Sequence, residues 1–100
     1  MENTVLTIED IKMVVNKLAK AYGVEKVYLF GSYARGDANH ASDIDLRIEK
    51  GNIKGLFQLS GFYLELEEAF ERKVDVVTTD TLDTDFLKRI SKEEIVVYEH

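Results

Sequence analysis

The chain has 100 residues, 45% of them hydrophobic, and a formal net charge of −6 at pH 7. This length predicts a single domain, residues 1–100, with no room for a separate substrate-binding domain. The lack of cysteine excludes disulfides, thiolate catalysis and cysteine-ligated zinc. The acidic balance argues against a nucleic acid as the main partner, because surfaces that bind nucleic acid are usually basic.

The sequence gives no sign of export or of membrane attachment. Residues 1–4 lack the basic and apolar regions of a secretory signal. No apolar run approaches the roughly 18 residues that a membrane span requires. We therefore expect a cytoplasmic protein.

Hydrophobic periodicity predicts helices and strands in regular succession. An apolar stripe with steps of three and four predicts a first helix over 8–22, between a capping Thr7 and a terminating Gly23. Further strands are predicted over 27–30, 43–49, 73–78 and 95–98, and further helices over 32–35, 56–70 and about 84–90. The order predicts an α/β (α+β) domain with a small mixed sheet and helices packed on it.

Two aspartates, Asp43 and Asp45, fall on one face of the predicted second strand. Because side chains alternate along a strand, these carboxylates are roughly 6.5–7 Å apart along the backbone and repel each other. A divalent cation would remove the repulsion, and Mg²⁺ prefers carboxylate and phosphate oxygens. The alternative is a solvent-facing strand with polar alternate positions, although aspartate is disfavoured in strands. The pair alone leaves both interpretations open.

The dipeptide Gly31-Ser32 ends the first strand where a short helix is predicted to begin. A helix N-terminus presents unpaired N–H groups to a phosphate, Gly31 would let the backbone approach, and Ser32 would add a hydroxyl donor. Arg35 lies about one helical turn further on, where it could reach a phosphate or anchor the loop by pairing with an acid. An ordinary strand-to-helix turn capped by serine is the alternative.

A third aspartate, Asp75, interrupts the apolar strand 73–78. A buried carboxylate there would be costly without a partner. If this strand lies beside the Asp43–Asp45 strand with its polar side on the same face, three carboxylates converge. Otherwise, Asp75 is an outward residue of an edge strand. Arg47 shares the face of the first two aspartates and is expected to pair with Asp75 or with another nearby acid.

Together, these features resemble a known signature. Gly31-Ser32, ten further residues and Asp43-Ile44-Asp45 resemble the Gly-Ser-x10-Asp-x-Asp motif of the polymerase-beta-like nucleotidyltransferase superfamily. Asp75, 30 residues after Asp45, suits the third carboxylate of that superfamily. Residues 29–36, 42–46, 87–90 and 95–99 further resemble the minimal nucleotidyltransferase (MNT) subgroup, so that the likeness extends from about residue 8 to residue 99.

The resemblance implies the minimal nucleotidyltransferase fold and the transfer of a nucleoside monophosphate from a triphosphate to a hydroxyl, with release of pyrophosphate. Asp43 and Asp45 would bind two Mg²⁺ ions, and Asp75 would complete the nucleophile-side metal site and accept the hydroxyl proton. Gly31 and Ser32, with Arg35 nearby, would hold the phosphates. In such reactions positioning and charge neutralisation supply most of the catalysis.

The MNT subgroup is also similar to the antitoxin half of a prokaryotic toxin–antitoxin module. The resemblance implies a HEPN-domain ribonuclease as partner, and transfer of AMP from ATP to a tyrosine of that partner. An acidic chain would suit a partner that is basic because it binds RNA. Two alternatives are a non-catalytic antitoxin that blocks its partner by binding, and a nucleotidyltransferase that acts on a small molecule or an RNA end.

Overall fold

A computed structural model describes residues 5–100. Residues 1–4, whose composition predicts no secretory signal, lie outside the described residues. The elements are α1 (Ile8–Tyr22), β1 (Lys26–Phe30), α2 (Ser32–Arg35), β2 (Ile44–Glu49), α3 (Gly55–Phe70), β3 (Val74–Thr78), a 3₁₀ turn (Thr79–Thr81), α4 (Thr84–Ser91) and β4 (Ile95–Glu99). The predicted order of helices and strands is confirmed, and the 3₁₀ turn is the addition. No helix within residues 5–100 has the length and apolar character to cross a membrane.

The capping residues from which α1 was predicted, Thr7 and Gly23, lie at its two ends. The Thr7 hydroxyl accepts a hydrogen bond from the Asp10 N–H at 3.0 Å, and the Asp10 carboxylate accepts one from the Thr7 N–H at 3.0 Å. This capping box works with aspartate in place of the usual glutamate. At the other end Gly23 has a φ of 73°, a left-handed conformation that glycine adopts without steric cost.

The four strands form one mixed sheet in the order β3-β2-β1-β4. β1 pairs antiparallel with both β2 and β4, whereas β2 and β3 are parallel. The parallel pair requires a crossover connection, and α3 provides it. α1 and α3 cover one face of the sheet, and α4 packs against the opposite face through the contact of Phe86 with Phe30.

Side-chain alternation along β2 divides the core from the polar face. Ile44, Leu46 and Ile48 are fully buried under α1 and α3, as the sequence predicts. Asp45 and Arg47 point to the opposite face. Asp43, predicted as the first residue of the strand, lies immediately before it. Of the elements within residues 5–100, α4 and the 3₁₀ turn partly cover the face that carries the charged residues of β2.

Gly61 lies inside α3, where glycine costs about 1 kcal/mol relative to alanine. A Cβ at this position would come within 2.9 Å of the Tyr22 hydroxyl. That hydroxyl donates a hydrogen bond to Glu65, and the Tyr22 ring packs at 5.5 Å against Phe62. Gly61 thus lets α1 and α3 approach closely enough for Tyr22 to reach across to α3.

Arg47 is buried on the polar face and holds the turn between α4 and β4. Its Nε lies 2.5 Å from Glu94 Oε2, and the two side chains are only 7% and 6% exposed. The guanidinium also stacks on the Tyr28 ring at 3.8 Å and donates to the Thr79 hydroxyl at 2.7 Å. The expected pairing with a nearby acid is confirmed, but Asp75 as that acid is wrong. Glu94, placed by the turn, reaches the guanidinium instead.

The substitution Glu94→Ala should lower the free energy of unfolding by about 3 kcal/mol, because it leaves the Arg47 guanidinium buried without its carboxylate. Chemical denaturation followed by circular dichroism measures the change. The control is Glu99→Ala, since Glu99 is 64% exposed where it pairs with Lys26 and should contribute little. An equal decrease in the free energy of unfolding in both variants would show that burial does not make the Arg47–Glu94 pair more stabilising than an exposed pair.

Candidate active site

The turn after β1 lies directly against β2. Gly31 has a φ of 77°, and a Cβ at this position would come within 2.1 Å of Asp45 Oδ2. Both the backbone conformation and the lack of space therefore require glycine. The following residue, Ser32, begins α2 as the sequence predicts. The backbone of the predicted phosphate turn and the carboxylate of Asp45 are thus immediate neighbours.

Strand register brings Asp75 to the same place. Asp45 lies opposite Phe30 on β1 and opposite Asp75 on β3. β3 is an edge strand and Asp75 is exposed, so both interpretations offered for this residue hold in part. Asp75 points outward from an edge, and it also shares a face with Asp45. One antiparallel and one parallel pairing therefore gather the turn and two carboxylates around β2.

The grouping of acids changes the ionisation of Asp45. Burial, then the negative charge of Asp75 and that of Asp43, raises the pKa of Asp45 to about 6, while Arg35 acts in the opposite direction. Carboxylates that repel in this way are typical of sites that bind a cation or transfer a proton. The pKa of Asp45 is therefore raised because the positive charge of Arg35 does not offset the burial and the negative charges around this carboxyl group.

Asp43 acts electrostatically on Asp45 but has its own cationic neighbour. Its Oδ2 lies 4.0 Å from Lys73 Nζ, a pairing that the sequence did not indicate. Within residues 5–100, no three carboxylate or imidazole side chains are arranged as a ready-made metal site. The chemistry of the donors nevertheless fits Mg²⁺, since Asp45 and Asp75 offer adjacent hard oxygens whose mutual repulsion a cation would relieve. Asp43 would join them by exchanging Lys73 for the ion.

A carboxylate already occupies the donors of the Gly31 turn. The Gly31 N–H donates to Glu93 Oε2 at 2.6 Å, and Arg35 Nη1 donates to the same oxygen at 3.1 Å. Arg35 also pairs with Asp37 at 3.3 Å, so the loop-anchoring role considered for Arg35 is what the structure shows. Sequence reasoning missed Glu93, because it lies 62 residues from Gly31 in the turn after α4. The turn does bind an anionic group, and here that group is Glu93.

A cavity of about 460 Å³ opens between the turn and α4. Its walls include Ser32, Arg35 and Asp45 on one side, and Phe86 and Arg89 on the other. The volume falls within the range of roughly 300–1,000 Å³ that is usual for small-ligand sites.

A larger cavity of about 730 Å³ lies at the opposite end of the sheet. Its walls include Lys17, Lys20 and Tyr98, but none of the predicted site residues. We place the candidate site in the smaller cavity, because the grouped acids and the anion-binding turn are there.

Comparison with known proteins agrees with this geometry. The family model described as polymerase beta, nucleotidyltransferase, matches residues 11–100. The chain belongs to the polymerase-beta nucleotidyltransferase family. The match spans both the Gly31 turn and the strands that carry the aspartates, so the site lies inside the shared domain.

Curated members of the family resemble the chain over nearly its whole length. A Methanocaldococcus jannaschii relative assigned as a protein adenylyltransferase is 35% identical over 92 residues, covering 92% of this chain and 99% of the relative. The protein adenylyltransferase MntA of Thermococcus cleftensis is 31% identical over 100 residues, covering 92% of this chain and 97% of MntA. The alignments therefore extend over nearly the full length of both relatives.

Solved structures share the fold. A chain assigned as a minimal nucleotidyltransferase superposes with a TM-score of 0.78 at 27% identity, covering 92% of this chain and 97% of that chain. A chain of a toxin–antitoxin complex with AMP-PNP superposes with a TM-score of 0.74 at 22% identity, and the match covers 91% of this chain and 73% of that chain. A chain from the complex of a tri-AMPylated Shewanella oneidensis HEPN toxin with an MNT antitoxin superposes with a TM-score of 0.67 at 19% identity. This match covers 93% of this chain and 71% of that chain. The minimal nucleotidyltransferase fold expected from the sequence is confirmed.

The substitution Asp45→Asn should stabilise the metal-free protein at pH 7.5. The folded-state pKa of about 6 exceeds the ordinary value of 3.8, so ionisation of Asp45 weakens the folded state as the pH rises through this interval. The gain in melting temperature, measured in EDTA, should shrink as the pH falls and vanish below about pH 4. Asp80→Asn is the control, because Asp80 pairs with Lys50, which lowers its pKa, and the loss of this carboxylate should give no gain. Identical melting temperatures for wild type and Asp45→Asn at pH 7.5 would contradict the assigned repulsion.

Proposed function

We propose that this chain is an antitoxin that transfers AMP from ATP to a tyrosine hydroxyl of a HEPN-domain ribonuclease toxin and so neutralises it. The observation that carries the proposal is the position of Asp45, against the Gly31 turn on one side and Asp75 on the other. A turn suited to phosphate and a group of acids suited to Mg²⁺ are what nucleotidyl transfer requires.

The relatives support the choice of nucleotide, reaction and partner. Two curated relatives carry the name protein adenylyltransferase, and both are at least 31% identical to this chain. Of the solved structures with this fold, one complex holds AMP-PNP and another holds an AMPylated HEPN toxin beside its MNT antitoxin. ATP as substrate and a HEPN toxin as acceptor follow for this chain. We further propose that the protein is cytoplasmic and that one domain, residues 1–100, carries out both binding and catalysis.

The residues of the site divide the work of the reaction. Gly31 and Ser32 would hold the outer phosphates through the backbone N–H and the hydroxyl, with Arg35 as a nearby cation. The acceptor oxygen would attack the α-phosphorus of ATP. The new oxygen–phosphorus bond would form as the bond from the α-phosphorus to pyrophosphate breaks, and the hydroxyl proton would pass to Asp75. Asp75 suits this role because it is exposed at the sheet edge, where a partner's side chain can reach it.

Asp43, Asp45 and Asp75 are the residues that would hold two Mg²⁺ ions. Bound there, the ions would neutralise phosphate charge and stabilise the entering and leaving oxygens. Asp45 is half-buried and Asp75 exposed, so this chain supplies an inner and an outer carboxylate on adjacent strands. The acceptor oxygen would come from the partner, since Asp75 is exposed on an edge strand that a partner can approach.

The substitutions Asp43→Asn and Asp45→Asn should each reduce AMP transfer at least about 100-fold, because each removes charge that serves the metal ions. The initial rate of transfer from ATP labelled at the α-phosphate to the purified toxin measures the loss. Asp80→Asn is the matched control, since Asp80 pairs with Lys50 at 3.0 Å on the surface, away from the site. Near-normal transfer by either site variant would overturn the assignment of these carboxylates.

The substitution Glu93→Gln should lower the KM for ATP severalfold. The glutamine amide oxygen can still accept the Gly31 N–H, but it removes the negative charge that competes with phosphate for Gly31 and Arg35. Steady-state transfer at varied ATP measures KM, and Asp85→Asn controls for the loss of one negative charge. A raised KM would indicate instead that Glu93 holds Arg35 in its working position.

A further inference from the structure

One face of α4 and the turn after it forms a wall of the candidate site. Phe86, Arg89, Ile90 and Glu93 follow at i, i+3, i+4 and i+7, which places them on one side of a helix. Ile90 is only 6% exposed and anchors α4 on the sheet. All four residues of this face line the cavity. The sequence alone indicates no binding role for Phe86, Arg89 or Glu93.

The side chain of Arg89 is supported where it borders the cavity. Its guanidinium carbon lies 5.5 Å from the centre of the Phe86 ring, within range of a cation–π contact. Phe86 in turn packs edge-on against Phe30 at 6.0 Å. Because Phe30 directly precedes Gly31, this series of side-chain contacts connects the Arg89 guanidinium to the Gly31 turn.

The two arginines of the cavity differ in their electrostatic partners. Arg35 is already paired with Asp37 and Glu93, at 3.3 Å and 3.1 Å. Arg89 has no ion pair within 4.0 Å among residues 5–100; its aromatic contact is with Phe86. A triphosphate brings more negative charge than Arg35 alone can balance, particularly beside Asp45. The uncompensated positive charge on this wall is therefore that of Arg89.

We propose that Arg89 is a phosphate-binding residue of this site, which binds the outer phosphates of the nucleotide and the departing pyrophosphate from the side opposite Arg35. A guanidinium presents paired N–H donors that match phosphate oxygens, and stacking on Phe86 limits the entropy lost on binding. The inference deepens the proposed function, on which it rests only for the identity of the nucleotide. Phe86 is a positioning residue for this guanidinium.

Isothermal titration of the full chain with ATP, and separately with inorganic pyrophosphate, tests the proposal. Arg89→Gln should weaken both affinities by about tenfold or more, the effect of losing one charge-assisted hydrogen bond. Arg89→Lys should recover most of the loss, because it keeps the charge. Affinity for adenosine should be unchanged in both variants.

Lys88→Gln is the matched control, since Lys88 is on the same helix and exposed but does not line the cavity. It removes the same charge and should change both affinities less than about twofold, because exposed charges further away are screened. Melting temperatures of all variants should match that of the wild type. An Arg89→Gln effect no larger than that of Lys88→Gln would overturn the proposal.

Two other outcomes have distinct meanings. Loss of ATP and adenosine affinity together, with pyrophosphate binding intact, would place Arg89 against the base and contradict the phosphate assignment. Wild-type protein that binds ATP and pyrophosphate through Arg89 but transfers no AMP would leave this inference standing and remove the proposed function. Binding and transfer thus report on the two proposals separately.

Discussion

The close approach of Gly31 to Asp45 is the constraint on which the site depends. A side chain at residue 31 would collide with the Asp45 carboxylate, so the turn can lie against β2 only with glycine. The same carboxylate faces Asp75 across the parallel pair, and its pKa is raised to about 6. The fold thereby holds an anion-binding backbone turn beside a set of acids that repel one another. This arrangement suits a substrate that carries phosphate groups and binds a metal cation.

The turn between α4 and β4 balances part of this charge. Its consecutive acids, Glu93 and Glu94, each pair with an arginine, the first beside the Gly31 turn and the second in the centre of the sheet. The buried Arg47–Glu94 pair fixes the turn, and the fixed turn presents Glu93 to Gly31 and Arg35. Glu93 therefore accepts hydrogen bonds from the two donors, Gly31 N–H and Arg35, that the proposed function assigns to phosphate.

Local sequence patterns were sufficient to predict the helices and strands and to find the Gly31-Ser32 and Asp43-Ile44-Asp45 motif. The capping box and Gly23 bounded α1, and strict alternation separated Ile44, Leu46 and Ile48 from the charged face. Strand order is not a local property, so Asp75 could be placed either beside Asp45 or at an edge, and it is both. The contacts of Glu93 with Gly31 and of Lys73 with Asp43 could not be predicted, because they join segments that only the folded chain brings together.

The most direct test of the account is intact-mass spectrometry of a purified HEPN-domain toxin after incubation with this chain, ATP and Mg²⁺. The account predicts that the toxin gains mass in whole AMP units, that its ribonuclease activity falls in proportion, and that Asp45→Asn adds none. A toxin silenced without any gain in mass would contradict the account, because it would show that the chain neutralises its partner by binding alone.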